Sequence, residues 1–174
     1  MDSSLEKSIE ILERTPDVLN TLLKDISAEW TLNNEGGDTW SVYDIVGHLI
    51  YGEKTDWIPR AEIILSENND KKFEPYDRFA QFKESKGKSL QQLLDDFVKL
   101  RSKNMEQLLS KRLTNKDLEK RGIHPAFGKV TLSQLLATWA VHDLNHISQI
   151  ARVMAKQYKE AVGPWVEYLG ILKE

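Results

Sequence analysis

Trp139-Ala140-Val141-His142-Asp143-Leu144-Asn145-His146-Ile147-Ser148-Gln149-Ile150 carries two histidines four residues apart in a segment whose apolar residues recur at helical spacing. Leu132, Leu135, Leu136, Trp139, Ile150, Val153 and Met154 fall on one face of an α-helix. Extended across the gap between Trp139 and Ile150, that stripe passes through His142 and His146, so both imidazoles are expected to point inward. Side chains four apart on a helix stack with β-carbons roughly 5–6 Å apart, and two ring nitrogens can then converge on one metal ion. A pair of core histidines, each satisfied by a hydrogen bond, is the plainer alternative. Leaving buried rings without partners costs about 1–3 kcal/mol per group, and a shared ion removes that cost.

Working outward, Thr131 with Gln134 forms a capping box, stapled by Val130 and Leu135, that begins this helix. Gly163-Pro164 is a stop signal, so the helix is expected to run about 45 Å. Trp165 to Leu172 would fold back as a short closing segment. Upstream, Thr114 with Asp117 starts a short helical turn, and 121–128 reads as a loop containing His124. Ser89 with Gln92 opens another helix, with Leu90, Leu93, Leu94, Phe97, Met105 and Leu108 as its apolar stripe. Arg101 and Asn104 interrupt that stripe. Either Arg101 snorkels to the surface beside an edge-placed Asn104, or the two form a polar patch facing the histidines.

Ser41 caps a further helix with Asp44, stapled by Trp40 and Ile45, and Val42, Ile45, Val46, Leu49 and Gly52 mark its buried face. His48 lies on that face, and Pro59 is expected to bend the helix. The first helix runs from a cap at Ser3, with Glu6 as its partner, to about residue 26, kinked by Pro16. Residues 30–38 read as a loop. Residues 66–88 read as a long polar connection, and Phe73, Tyr76, Phe79 and Phe82 suggest that it packs back on the body, as a lid or an anchored surface loop.

Four amphipathic helices and no convincing alternating strand predict an all-α fold. The architecture is a four-helix bundle with long connections and a short C-terminal closing segment, one domain over residues 1–174. The links 27–40 and 66–88 leave simple up-and-down connectivity open. A formal charge of −3 provides no basic footprint for nucleic acid. No apolar run approaches the roughly 18 residues that span a bilayer, and the N-terminus lacks a signal peptide's basic and apolar regions, so the cytoplasm is the expected location. Cysteine is absent, which excludes disulfides and thiolate ligands. Any thiol chemistry must use a thiol that arrives on a substrate.

In bundles, metal sites are built from inward side chains on facing helices, and His48, His142 and His146 meet that requirement. Three neutral imidazoles suit zinc, nickel or another first-row divalent ion and leave a coordination position open. Water there would supply hydroxide near neutral pH for hydrolysis. A substrate thiol would be deprotonated instead. Glu53, Asp56 and Asp143 are the candidates in sequence for orienting the imidazoles, although Asp143 reads better as solvated helix surface.

The stretches His48-Leu49-Ile50-Tyr51-Gly52-Glu53 with Asp56-Trp57, and Trp139 with His142-Asp143-Leu144-Asn145-His146 and Gln149-Ile150-Ala151-Arg152, resemble the DinB-like superfamily. His124-Pro125-Ala126-Phe127-Gly128 and Tyr76-Asp77-Arg78-Phe79-Ala80 are similar to one bacterial branch of it. The resemblance implies a four-helix bundle over nearly the whole chain, with a metal triad at His48, His142 and His146. It also implies relatives that are often homodimers and include thiol S-transferases using low-molecular-weight bacterial thiols, a thiol-dependent isomerase and proteins called metal-dependent hydrolases. The expected protein is a divalent-metal enzyme of the thiol S-transferase kind acting on a small molecule, with Glu53, Asp56, Arg101, Asn104 and the 66–88 connection around its site. A hydrolase using metal-bound hydroxide and a non-catalytic bundle anchored by its metal are the alternatives.

Overall fold

Four reciprocal capping boxes set the starts of helices in this chain. Ser41, Ser89, Thr114 and Thr131 each accept a hydrogen bond from the backbone N–H three residues on, and Asp44, Gln92, Asp117 and Gln134 each accept one from the cap's own N–H. The structure, a computed structural model, describes residues 3–173 without the side chain of Ser3, so the cap read at Ser3 lies outside the described residues. The long helices are α1 (Ser3–Leu23), α3 (Val42–Thr55) continued by α4 (Trp57–Leu65), α6 (Leu90–Ser110) and α8 (Leu132–Lys156). Between them lie the short helices α2 (Ala28–Leu32), α5 (Ala80–Ser85) and α7 (Asn115–Leu118), and strands β1 (Arg121–His124) and β2 (Gly128–Thr131).

Helix α1 packs on α6 and α8, and α3 packs on the same two. The first and second long helices therefore face each other across a diagonal, as do the third and fourth. The long links accommodate this: chain neighbours need not be spatial neighbours. No helix among the described residues is long and apolar enough to cross a membrane.

Several boundaries differ from the sequence reading. The bend attributed to Pro59 lies at Asp56, between α3 and α4. Pro59 is the third residue of α4, where its missing N–H costs nothing, and its ring excludes the α-helical carbonyl four back, at Thr55. The segment 121–128 is not a loop but part of an antiparallel hairpin with 128–131. His124 closes that turn: its Nδ1 accepts the N–H groups of Ala126 and Phe127 at 3.1 and 3.3 Å, and its ring stacks on Phe127. Helix α8 stops at Lys156, about 37 Å from its start. Beyond it the backbone tightens into i→i−3 bonds at Gln157, Tyr158 and Lys159, with Trp30 stacked on Tyr158. The closing segment follows as 3₁₀ turns, Gly163–Tyr168 and Gly170–Leu172, with Leu172 buried. Residues 28–32, read as partly loop, form α2.

Pro16 sits inside α1 and has no N–H to give the carbonyl of Leu12. Arg101 replaces it, its Nη1 donating to Leu12 O at 2.8 Å. The apolar interior is divided. One cluster gathers Leu12, Trp57, Ile64, Met105, Leu132, Leu136 and Trp139; the other gathers Leu19, Ile45, Leu49, Phe97, Ile150 and Val153. A polar layer built on Arg101 lies between them.

Candidate metal centre

His48 comes from the middle of α3, and His142 and His146 from successive turns of α8. Their Nε2 atoms converge: His48 to His142 at 3.0 Å, and His146 to His142 at 3.1 Å. Each ring offers one nitrogen to a cluster in which all three atoms lie within 4.8 Å of one another. Trp40 packs 4.9 Å from the His48 ring and Trp57 packs edge-on to His142 at 5.1 Å.

The tautomers follow from the outer bonds. His48 Nδ1 lies 3.0 Å from Gln81 Oε1 and 2.8 Å from the Tyr76 hydroxyl. His146 Nδ1 lies 2.8 Å from Gln149 Oε1. A glutamine oxygen can only accept, so with both amides oriented this way the rings carry their proton on Nδ1 and turn the Nε2 lone pair inward; at His48 the Tyr76 oxygen then accepts beside Gln81, whose Nε2 is buried without a partner among the described residues. His142 Nδ1 is buried without a hydrogen-bond partner among the described residues. If His142 holds its proton on Nε2, it can donate well to only one neighbour. If it holds it on Nδ1, three lone pairs face one point. A cation there resolves both problems, so the donor set fits a divalent metal ion.

Burial keeps the rings in the neutral form that ligation requires. Desolvation, with the neighbouring His146, pushes His48 down to about 4, against a smaller opposing effect of Gln81. It pushes His142 to about 2, with help from His146, His48 and Arg101, and it lowers His146 as well.

The other sequence candidates lie deeper. Arg101, 1% exposed, donates to Asp143 Oδ2 at 2.6 Å and Oδ1 at 3.0 Å, and to Glu53 Oε1 at 2.8 Å. Asn104 donates to Glu53 O at 2.7 Å and Oε2 at 2.9 Å, and Trp139 Nε1 donates to Glu53 Oε1 at 2.9 Å. Arg101 does not snorkel, and Asp143, expected on solvated surface, is fully buried. A carboxylate on that face is held inside because a guanidinium on α6 meets it. Among the described residues, neither Glu53 nor Asp143 bonds an imidazole. Asp56 pairs with Arg60 at 2.8 Å and is raised to about 6 by burial, against the pull of Arg60.

Two side chains that support the triad had no local signal. Tyr76 and Gln81 arrive from the 66–88 connection, which is ordered by Phe73 pairing its backbone with Ile123 and by Tyr43, whose single hydroxyl proton is shared between the carbonyls of Ser85 and Lys88. Gln149, three residues after His146, was within reach of a helical wheel. Grooves among the described residues border the triad at His142 and at His146. One, of about 530 Å³, is lined by Gln134, Ala137, Thr138, Val141, His142 and Asn145. The other, of about 380 Å³, is lined by Trp40, His146, Gln149, Arg152 and the 35–39 loop.

The family model of the DinB superfamily matches residues 11–150. The chain belongs to the DinB superfamily. Its fold is similar to that of YfiT from Bacillus subtilis, called a probable metal-dependent hydrolase with an unusual four-helix bundle topology. That match has a TM-score of 0.74 and 21% identity, over 94% of this chain and 90% of that one. TT2238, described as a four-helix bundle protein, matches with a TM-score of 0.57 and 16% identity, over 84% of this chain and 98% of its own. No curated protein matches the chain. Family membership and these likenesses agree with the all-helical bundle expected from the periodicity.

Proposed function

We propose that this superfamily member is a divalent-metal enzyme whose triad activates a small thiol for transfer to an electrophile. His48, His142 and His146 would hold the ion, zinc or nickel, through Nε2. The ion's Lewis acidity would lower the pKa of a bound thiol or water toward neutrality. Gln81 and Gln149 fix the proton on Nδ1 of two rings and so keep the ligand nitrogens aimed. Trp40 and Trp57 form apolar walls that limit water around the reacting group. The groove beside Ala137 and Val141 offers room for a substrate with an apolar body.

The observation that carries the preference for a thiol is the state of the carboxylates. Glu53 and Asp143 are locked on Arg101, and Asp56 is tied to Arg60. Among the described residues none of the three bonds an imidazole, and Arg101 holds Glu53 and Asp143 away from any leaving amine or alcohol. A thiol acidified by the ion needs no protein base, and a chain without cysteine must receive its thiol from a substrate. Hydrolysis is the second reading, favoured by the description of YfiT as a probable metal-dependent hydrolase.

The test begins with elemental mass spectrometry on protein purified without a metal-affinity tag. Consumption of low-molecular-weight thiols by an activated aryl halide is then measured beside ester and amide hydrolysis. About one divalent ion per chain, and thiol consumption lost in a folded variant with His48, His142 and His146 all changed to Ala, is the expected result. Absence of metal after reconstitution with zinc and nickel would overturn the reading. Metal-dependent hydrolysis with no thiol turnover would replace it with the second.

A further inference from the structure

The layer beneath the triad carries a charge imbalance. Glu53 and Asp143 share a single guanidinium, Arg101, and their side chains are 1% and 0% exposed. With both carboxylates ionised, the cluster carries one negative charge more than Arg101 offsets. Asn104 and Trp139 add neutral donors, which spread that charge without cancelling it. A buried ion pair built only for packing needs one charge of each sign. An uncompensated buried charge costs several kcal/mol, even after the protein relaxes around it. Some positive partner has to justify the surplus.

The surplus shares α3 and α8 with the triad: Asp143 favours positive charge at His146, while Arg101 opposes it at His142. Asp143 is joined by a peptide bond to His142 and stands three residues before His146, while Glu53 follows His48 by five positions on α3. From Glu53 the contact runs through the Trp139 indole, which stacks on Trp57 at 5.7 Å, and Trp57 meets the His142 ring. That route is apolar, so charge is poorly screened along it. The triad itself contributes no charge, because its imidazoles are neutral.

We propose that the Glu53–Arg101–Asp143 cluster is an electrostatic counterweight for the ion of the triad, raising its affinity for divalent cations through net charge rather than by hydrogen-bonding the ligands. The proposal rests on the metal reading above. It assigns the two carboxylates a role distinct from orienting imidazoles, a task that Gln81 and Gln149 perform. Within the cluster, Arg101 holds the carboxylates in place and offsets one of their two charges.

The experiment measures zinc affinity by competition with a chromophoric chelator at fixed ionic strength, with circular dichroism to monitor folding. Glu53→Gln and Asp143→Asn each remove one negative charge and should each weaken zinc binding about tenfold or more. Glu13→Gln, on the exposed side of α1, should leave it unchanged. Charge and distortion separate in the cobalt(II) form: removing a remote charge leaves the d–d spectrum of the site unchanged, whereas a distorted ligand set alters it. Should a single variant fail to fold, the triple variant Glu53→Gln, Arg101→Met, Asp143→Asn leaves no buried charge and carries the same expectation. Folded variants that bind zinc as tightly as the parent, or whose cobalt(II) spectrum departs from the parent's, overturn the proposal. A parent that binds neither ion overturns the metal reading instead.

Discussion

Replacing Arg101 by Met tests the polar layer most severely. The guanidinium meets Asp143 through two bonds, Glu53 through one and the Leu12 carbonyl through another. Breaking a buried ion pair from one side costs about 3–5 kcal/mol, and the orphaned carbonyl adds about 1–3 kcal/mol. A loss of about 5 kcal/mol or more takes much of the roughly 5–15 kcal/mol typical of a domain. The variant should therefore be largely unfolded, or melt more than about 10 °C below the parent, at neutral pH. The sign with pH is distinctive. Two buried carboxylates without a cation favour protonation, whereas the buried histidines act alike in both proteins, so the variant's deficit relative to the parent should be smaller at about pH 5 than at about pH 7. Adding Pro16→Ala restores an N–H for Leu12 O and should recover about 1 kcal/mol more in the Arg101→Met background than in the parent. Urea titrations at both pH values on the four proteins measure all of this. A variant within about 1 kcal/mol of the parent at neutral pH would refute the reasoning.

Three further outcomes are expected. A β-carbon at Gly47 would collide with the Ser85 side chain, so Gly47→Ala should push α5 away, cost about 1–3 kcal/mol and weaken zinc binding by displacing Gln81; thermal melts and chelator competition check both. Gln81→Leu removes the acceptor on His48 Nδ1 and should lower metal affinity about tenfold, while Tyr76→Phe, with Gln81 still in place, should change it less than about threefold. Glu35 is held down to about 2 by Arg152 and Lys156, so its contribution is present above about pH 4.5 and lost as the pH falls toward 2. Glu35→Gln should accordingly destabilise the protein at neutral pH, by about 1 kcal/mol after solvent screening, and hardly at all near pH 2, as read by urea midpoints.

Much of the architecture is local and therefore readable. The caps at Ser41, Ser89, Thr114 and Thr131 need only a side chain and its neighbour three residues on. The facing of His142 and His146 follows from the stripe that contains them, and that of His48 from Ile45 and Gly52. What escaped reading depends on partners far along the chain. Asp143 looks like a surface acid until Arg101, 42 residues away, is placed against it. The hairpin at 121–131 has strands of four residues, too short for alternation to register, and its turn depends on a histidine ring accepting two backbone donors. Tyr76 and Gln81 sit in a connection whose path is set by Phe73 against Gly122, where the ring occupies the space a β-carbon would need. The end of α8 at Lys156 falls short of Gly163 because Trp30 and Tyr158 redirect the chain.

The division of the apolar interior bears on how the bundle comes apart. Two packed halves meeting at a hydrogen-bonded layer are natural cooperative units, and amide hydrogen exchange resolves such units when they open at different free energies. Without metal, the half built on Leu19, Ile45 and Phe97 and the half built on Leu12, Ile64 and Trp139 should show separate protection classes. A ligand that binds only where α3 and α8 are correctly docked stabilises both against opening. Under saturating zinc the two classes should merge, so that exchange near Leu132 and near Val153 reports one common event.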